Sequence, residues 1–128
     1  MILLDTHAAI WLAVEPQRLS KPARAAIEEN APAGLAISGQ SLYEIAWLMA
    51  RRRIALREPP ETFLGGLASR FQVCPLTAAV AIAAARLPGE FPSDPFDRII
   101  AATAIVAGVP LITADRRIRR SRAVRTLW

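Results

Sequence analysis

Apolar residues in this chain arrive in short unbroken runs, and between the runs lie longer segments in which they recur on one helical face. That alternation predicts buried strands separated by helices. Ile2-Leu3-Leu4 is the first run, Leu35-Ala36-Ile37 the second, and Gln72–Leu76 the third. Leu111–Thr113 and Val124–Leu127 give a fourth and a fifth. A helix is expected over Thr6–Ala13, ending before Pro16. Ser20 can cap the next one, with Pro22 near its start and Ala23, Ala26 and Ile27 on one face. Ser38 can cap the helix that carries Glu44. Pro59 and Pro60 open a helix through Phe71, weakened by Gly65 and Gly66. Thr77 caps an alanine-rich helix to Leu87, and the loop Pro88–Ser93 leads into a helix from Asp94 to Ala107. Gly108 and Pro110 close that last helix.

Strands joined by single helices pair in parallel through right-handed crossovers. The expected fold is therefore α/β, a three-layer α/β/α sandwich with a central, mainly parallel sheet of four to five strands. The chain has no internal repeat and no linker long enough to divide it, so residues 1–128 are expected to form one domain. Ligands of such sheets bind at the carboxyl ends of the strands.

Four acidic residues stand at the margins of the apolar runs. Asp5 closes the first strand, Asp115 follows Leu111–Ala114, Asp97 opens the apolar turn through Ile99 and Ile100, and Glu44 is the only charge between Leu42 and Ala50. Desolvation disfavours a charged carboxylate at the edge of a core. Four of them in one small domain point to a shared pocket with a divalent metal, which is the chemistry of a metal-dependent nuclease. Each aspartate also has a structural explanation. Asp5 can cap the helix from Thr6; Asp94 fits an N-cap with Pro95 at the first helical position, which puts Asp97 at the third, where it favours the helix dipole; Asp115 can cap a turn before Arg116. Glu44 resists such a reading, because it lies two turns into a helix that is apolar almost all round.

Charge adds a second element. Lys+Arg is 16 and Asp+Glu 11, a net of +5; taking the four candidates from the 11 acids leaves 7 against 16, a balance of +9 for the rest of the molecule. Lys21 is the only lysine, and arginine favours planar, bidentate contacts to phosphate. Arginine richness can equally reflect base composition of the gene. Cys74, alone, forms no internal disulfide and reads as a small buried hydrophobe. The N-terminus lacks a basic leader, and the longest uncharged stretch, Ile99–Thr113, falls short of the roughly 20 residues a membrane helix needs. A cytoplasmic protein is expected. His7 is the only histidine, so two-histidine cleavage is impossible within one chain; it can shape the rim of the site, and a packed, hydrogen-bonded role is expected for it rather than a catalytic one. Trp11 and Trp47 are assigned to core or dimer packing, not to base stacking.

The segments MILLDTHAAIWL, LAISGQSLYEIAWLMARRR, DPFDRIIAATA, PLITADRRI and AVRTLW occur in that order and span essentially the whole chain. Together they resemble the PIN-domain ribonucleases, in particular the VapC-type toxins of bacterial toxin–antitoxin pairs. The resemblance places Asp5, Glu44, Asp97 and Asp115 on that family's acidic quartet, Thr113 on the hydroxyl residue before the last acid, and Thr6 on the residue after the first. It implies Mg²⁺- or Mn²⁺-dependent cleavage of RNA, inhibition by a cognate antitoxin, and assembly as a homodimer and as a toxin–antitoxin hetero-oligomer. Where similar proteins often have a glycine after the Glu44 helix, this chain has Arg51-Arg52-Arg53, and a left-handed residue there would cost about 1–2 kcal/mol.

Mg²⁺ takes six oxygens and keeps several waters, so a few carboxylates suffice. Asp5 and Asp97 are expected as direct ligands, Asp115 directly or through water, and Glu44 through water or as the group orienting the nucleophile. Arg116, Arg117, Arg119 and Arg120, beside Asp115, are the candidate guides for RNA phosphates, together with Arg122 and Arg125. Two rivals remain: a catalytically silent PIN-like binding module, and a haloacid-dehalogenase-like phosphatase. The latter needs a second acid where this chain has His7.

Overall fold

A computed structural model describes residues 1–128. Five strands form one sheet: β1 (Ile2–Leu4), β2 (Leu35–Ser38), β3 (Gln72–Cys74), β4 (Leu111–Ile112) and β5 (Thr126–Leu127), in the order β3-β2-β1-β4-β5. Every pairing is parallel. Unalternated runs such as Ile2-Leu3-Leu4 suit such a sheet, because both of its faces are covered. All three of those side chains have zero exposure.

The helices supply the two covers. Successive strand residues point to opposite faces. Ile2, Leu4, Ile37 and Ile112 therefore meet α1 (Thr6–Val14), α2 (Lys21–Asn30), α3 (Gly39–Ala50) and α4 (Pro60–Arg70) through Ala9, Ile27, Ile45 and Leu67. Leu3, Ala36 and Leu111 face the other way, onto Ile100, Ala101 and Ala104 of α6 (Pro95–Ala107) and Ile118 of α7 (Arg116–Ser121). The remaining helix, α5 (Ala78–Ala85), packs on α6 through Val80, Ala84 and Ala102. The three-layer α/β/α arrangement expected from the sequence is present, with five strands, all of them parallel.

Several boundaries differ from expectation for local reasons. β3 stops at Cys74, because Pro75 has no N–H to continue the ladder. α5 ends at Ala85 rather than Leu87, since Pro88 disfavours helical backbone at the residue before it, and the Arg98 guanidinium then takes the carbonyls of Ala84 and Leu87 at 3.4 and 3.3 Å. Arg116–Ser121 is a helix where only a turn was expected. After α3, Arg52 adopts φ 53°, the left-handed conformation anticipated at the arginine triplet.

The connection β1–β2–β3 runs outward on one side of β1, and β4–β5 on the other. The strand order thus reverses between β1 and β4. A crevice opens beyond the carboxyl ends of strands at such a point. Asp5 follows directly on β1, and Asp115 lies three residues past β4.

Candidate active site

Asp5 is the N-cap of α1, and both of its oxygens are engaged. Oδ1 accepts from the Thr6 N–H at 2.7 Å, and Oδ2 accepts from the Thr113 hydroxyl at 2.7 Å. Only 9% of the residue is exposed. Each carboxylate oxygen has a further lone pair, so capping leaves room for another ligand. Burial pushes the Asp5 pKa above the ordinary carboxylate value; the bonds from Thr113 and Thr6 work against that rise, as does His7, and Asp115 adds to it.

Glu44 is wired to the same helix start. The Thr6 hydroxyl donates to Glu44 Oε2 at 2.6 Å. The buried Ser41 hydroxyl lies 3.0 Å from Thr6 Oγ1. A threonine has one hydroxyl proton, and it goes to the carboxylate, so Ser41 is the donor in this second contact. Burial raises the Glu44 pKa, the Thr6 bond opposes this, and Asp5 contributes to it. The helix around Glu44 is less enclosed than its composition suggests: only Ser41 and Ile45 are buried, and Tyr43 is 58% exposed. Glu44 is half-buried, on the rim rather than in the core.

Thr113 joins two acids. While donating to Asp5, its oxygen accepts the Asp115 N–H at 3.1 Å. Asp115 then caps α7, its Oδ1 accepting from Arg117 N at 2.8 Å and Ile118 N at 3.2 Å. Asp97 sits in the first turn of α6, which Asp94 caps through bonds to the N–H groups of Phe96 and Asp97. Burial, then the charges of Asp5, Asp94, Asp115 and Glu44, push the Asp97 pKa up to about 7.

Capping and clustering are thus compatible. Asp5, Glu44, Asp97 and Asp115 line one pocket of about 380 Å³ together with Asp94, His7, Trp11 and Ala114. No basic side chain other than His7 lines it. Arg98, adjacent to Asp97 in sequence, is turned away and donates to the carbonyls of Pro92, Ala84, Leu87, Pro88 and Phe91. The one ion pair in the molecule is Glu15–Arg18 at 4.0 Å.

Asp94, Ser41 and Trp11 were not among the expected site residues, whereas His7 does stand at the rim. Ser41 carries a sequence signal in retrospect: it stands three residues before Glu44, on the same helical face. His7 is exposed, not packed, and its ring lies 5.9 Å from that of Trp11. Arg116, Arg119 and Arg120 line an open cavity of about 440 Å³ with Arg122, while Arg117 is exposed outside that lining.

Oxygen donors of this kind suit a hard divalent cation, and no Lys or Arg lines the pocket to offset their charge. No three His, Cys, Asp or Glu side chains already stand close enough to grip an ion together. Mg²⁺ does not need such a grip, since one or two carboxylates and several waters complete its shell. The donor set fits the ion that the resemblance implies.

The PIN domain family pattern matches residues 2–123. Over 129 aligned residues the chain is 45% identical to Ribonuclease VapC22 of Mycobacterium tuberculosis, covering 99% of this chain and 98% of that relative. Among solved structures, the DNA-bound VapBC of Salmonella typhimurium superposes with a TM-score of 0.74 at 22% identity, over 98% of this chain and 97% of the other. VapBC2 of Rickettsia felis, bound to a promoter fragment, gives 0.73 at 20% identity over the same shares. At these identities the structural likeness is one of fold.

Proposed function

This chain belongs to the PIN-domain family, and on that footing we propose that it is a Mg²⁺- or Mn²⁺-dependent endoribonuclease, the toxin of a toxin–antitoxin pair. The observation that carries the reading is the pocket itself: five carboxylates, three of whose residues are tied together by Thr6 and Thr113, with no Lys or Arg among the lining residues. The 45% identity to a protein named as a ribonuclease supports RNA as the substrate. The VapBC complexes among the structural neighbours support a cognate antitoxin as the partner and a toxin–antitoxin hetero-oligomer as the assembly, and a homodimer is what the family resemblance implies. No helix is long and apolar enough to cross a membrane, and a cytoplasmic site of action fits an RNA substrate.

Asp5, Asp97 and Asp115 would hold the ion. When bound, it supplies an acidified water for attack and offsets charge on the phosphoryl oxygens. The chain's own groups do the positioning. Thr113 and the Thr6 N–H fix the Asp5 carboxylate in one orientation. Thr6 does the same for Glu44, whose rim position lets it orient a water toward the phosphorus. Asp97, pushed up to about 7 by burial and by the neighbouring carboxylates, would give up its proton to serve as a ligand. Arg116, Arg119 and Arg120 would draw the flanking phosphates.

Purified protein is expected to cut RNA with added Mg²⁺ or Mn²⁺, to stop with EDTA, and to lose cleavage as Asp5→Asn. Full activity in EDTA, or products ending in a 2′,3′-cyclic phosphate, would overturn the reading. Expression of the chain alone is expected to arrest growth, and co-expression of the partner gene to relieve it.

A further inference from the structure

The face of α1 that leads out of the carboxylate pocket carries His7 and Trp11, four residues apart and therefore on one side of the helix. Both also line a second cavity of about 370 Å³, which continues past Ile10, Val14 and Leu56 to Arg18 and Arg53. The two cavities share these rings as a common wall, and together they make one groove that changes character along its length. It starts with carboxylates, passes through an aromatic and aliphatic stretch, and ends at two guanidinium groups with Glu15 beside them.

The rings differ in freedom. Trp11 is half-buried and framed, with the Arg18 guanidinium 4.5 Å from its centroid and Trp128 tilted against it at 5.8 Å. His7 is exposed, and its imidazole touches only the Trp11 ring among aromatic neighbours. The arginines are only partly committed. Arg18 reaches Glu15 only at 4.0 Å, with both side chains about half exposed, a pair of little energetic weight. Arg53 has no carboxylate partner and stands 6.0 Å from the Trp47 ring.

We infer that this second cavity is a nucleobase subsite, which takes the base of a nucleotide next to the scissile phosphate. The inference rests on the ribonuclease reading of the neighbouring pocket. The base stacks on the His7 imidazole against the Trp11 wall, and Arg18 and Arg53 hold that nucleotide's outer phosphate. An apolar cavity alone would accept many side chains. At its far end Arg53 has no acidic partner and Arg18 is held only weakly by Glu15; with its continuity with a pocket for a phosphodiester, this selects a ligand that pairs a flat ring with an anion. Aromatic stacking accepts every base, since each has a π-face. The subsite therefore contributes affinity and register more than strict sequence choice. His7 lines both cavities whereas Arg53 lines only the second, so Arg53→Gln reads the subsite apart from the carboxylates.

The test uses an oligoribonucleotide with one mapped cut, either intact or carrying an abasic ribose at one nucleotide beside the cut, on each side in turn. His7→Ala and Arg53→Gln alter exposed groups, and melting curves matching the parent establish that they fold. His7→Ala is expected to lower kcat/KM on the intact RNA by on the order of tenfold, mainly through KM, and the parent is expected to lose as much when the stacked base is absent. The two losses should not add, because they remove the same contact. Arg53→Gln is expected to weaken binding of both RNAs. Additive losses, or an equal loss by His7→Ala on intact and abasic RNA, would overturn the subsite. So would unchanged kinetics in both variants, including the case where capture of a co-expressed protein partner weakens instead, which would assign the cavity to a peptide segment. A parent protein that cuts no RNA with Mg²⁺ or Mn²⁺ would remove the ribonuclease reading first, before any variant is compared.

Discussion

Thr113 serves two acids with one oxygen, donating to Asp5 and accepting from the Asp115 N–H, and it has no exposure at all. Thr113→Val keeps the shape and strands both partners. The expected cost is about 1–3 kcal/mol, because buried polar groups left unpaired carry their full desolvation penalty. Cleavage should fall as well, while Thr113→Ser should preserve both; chemical denaturation and a cleavage assay on the pair check this. Asp97 is expected to behave in the opposite way. Its folded pKa of about 7 lies above the ordinary 3.8, and Asp5 and Glu44 are shifted in the same direction. Between those values the folded state binds more protons than the unfolded state, so stability falls as pH rises. Metal-free protein should melt highest near pH 4 and lose stability progressively up to about pH 7, with Asp97→Asn removing much of that slope. Asp97→Asn should also abolish cleavage without lowering the melting temperature at pH 7.5. Mg²⁺ or Mn²⁺ should raise the parent's melting temperature at pH 7.5 and have little effect at pH 5, since an ion that binds only the folded, deprotonated site stabilises by mass action. A melting temperature that rises steadily from pH 4 to 7 would contradict this account of the pocket.

At the scale of elements, Arg98 holds the route into the site. It joins the end of α5, the loop through Phe91 and the start of α6 by five bonds to carbonyl oxygens. Arg98→Met retains the stem and loses the head, and is expected to cost about 1.5–3 kcal/mol, the range for hydrogen bonds to a charged group. Because Asp97 sits in that first turn, cleavage should weaken too; an unaltered denaturation midpoint would contradict the role. Arg52→Gly tests the end of α3. The left-handed conformation at φ 53° suits glycine, so stability should rise by about 1 kcal/mol. What the sequence disclosed about these elements follows from how local each signal is. The strands, Asp5 and Asp115 were legible because each acid directly ends an apolar run, and the caps at Ser20, Ser38, Thr77 and Asp94 were legible because capping is a contact between near neighbours. α7 escaped because only Ile118 is buried among its arginines, leaving no apolar period to read. The reach of Arg98 escaped for a different cause: its partners lie six to fourteen residues away, a distance set by the fold and not by sequence spacing. The grouping of Asp94 with the four acids likewise needed the crevice between β1 and β4, which no single segment encodes.

Across the whole molecule, charge is divided rather than paired. Sixteen basic side chains yield one ion pair, while five carboxylates face one another in the pocket. Folding has left both sets available to something outside the chain: a cation for the acids, a polyanion for the arginines. Four of these converge at the α7 end, where Arg116, Arg119, Arg120 and Arg122 line an open cavity that starts one residue past Asp115. An RNA strand crossing the acidic pocket would thus meet a dense positive field directly beyond it. Phosphate contacts release condensed counterions, and for a single strand each one contributes about 0.7 to the slope of log affinity against log salt. Replacing Arg116, Arg119 and Arg120 by glutamine is expected to weaken RNA binding and to flatten that slope by about 2. Arg117, outside the cavity lining, should matter less when replaced alone. The cut site should not change, since phosphate contacts position a strand without reading its bases. A slope that stays the same, or a cut that moves, would show that these arginines do something other than guide phosphates.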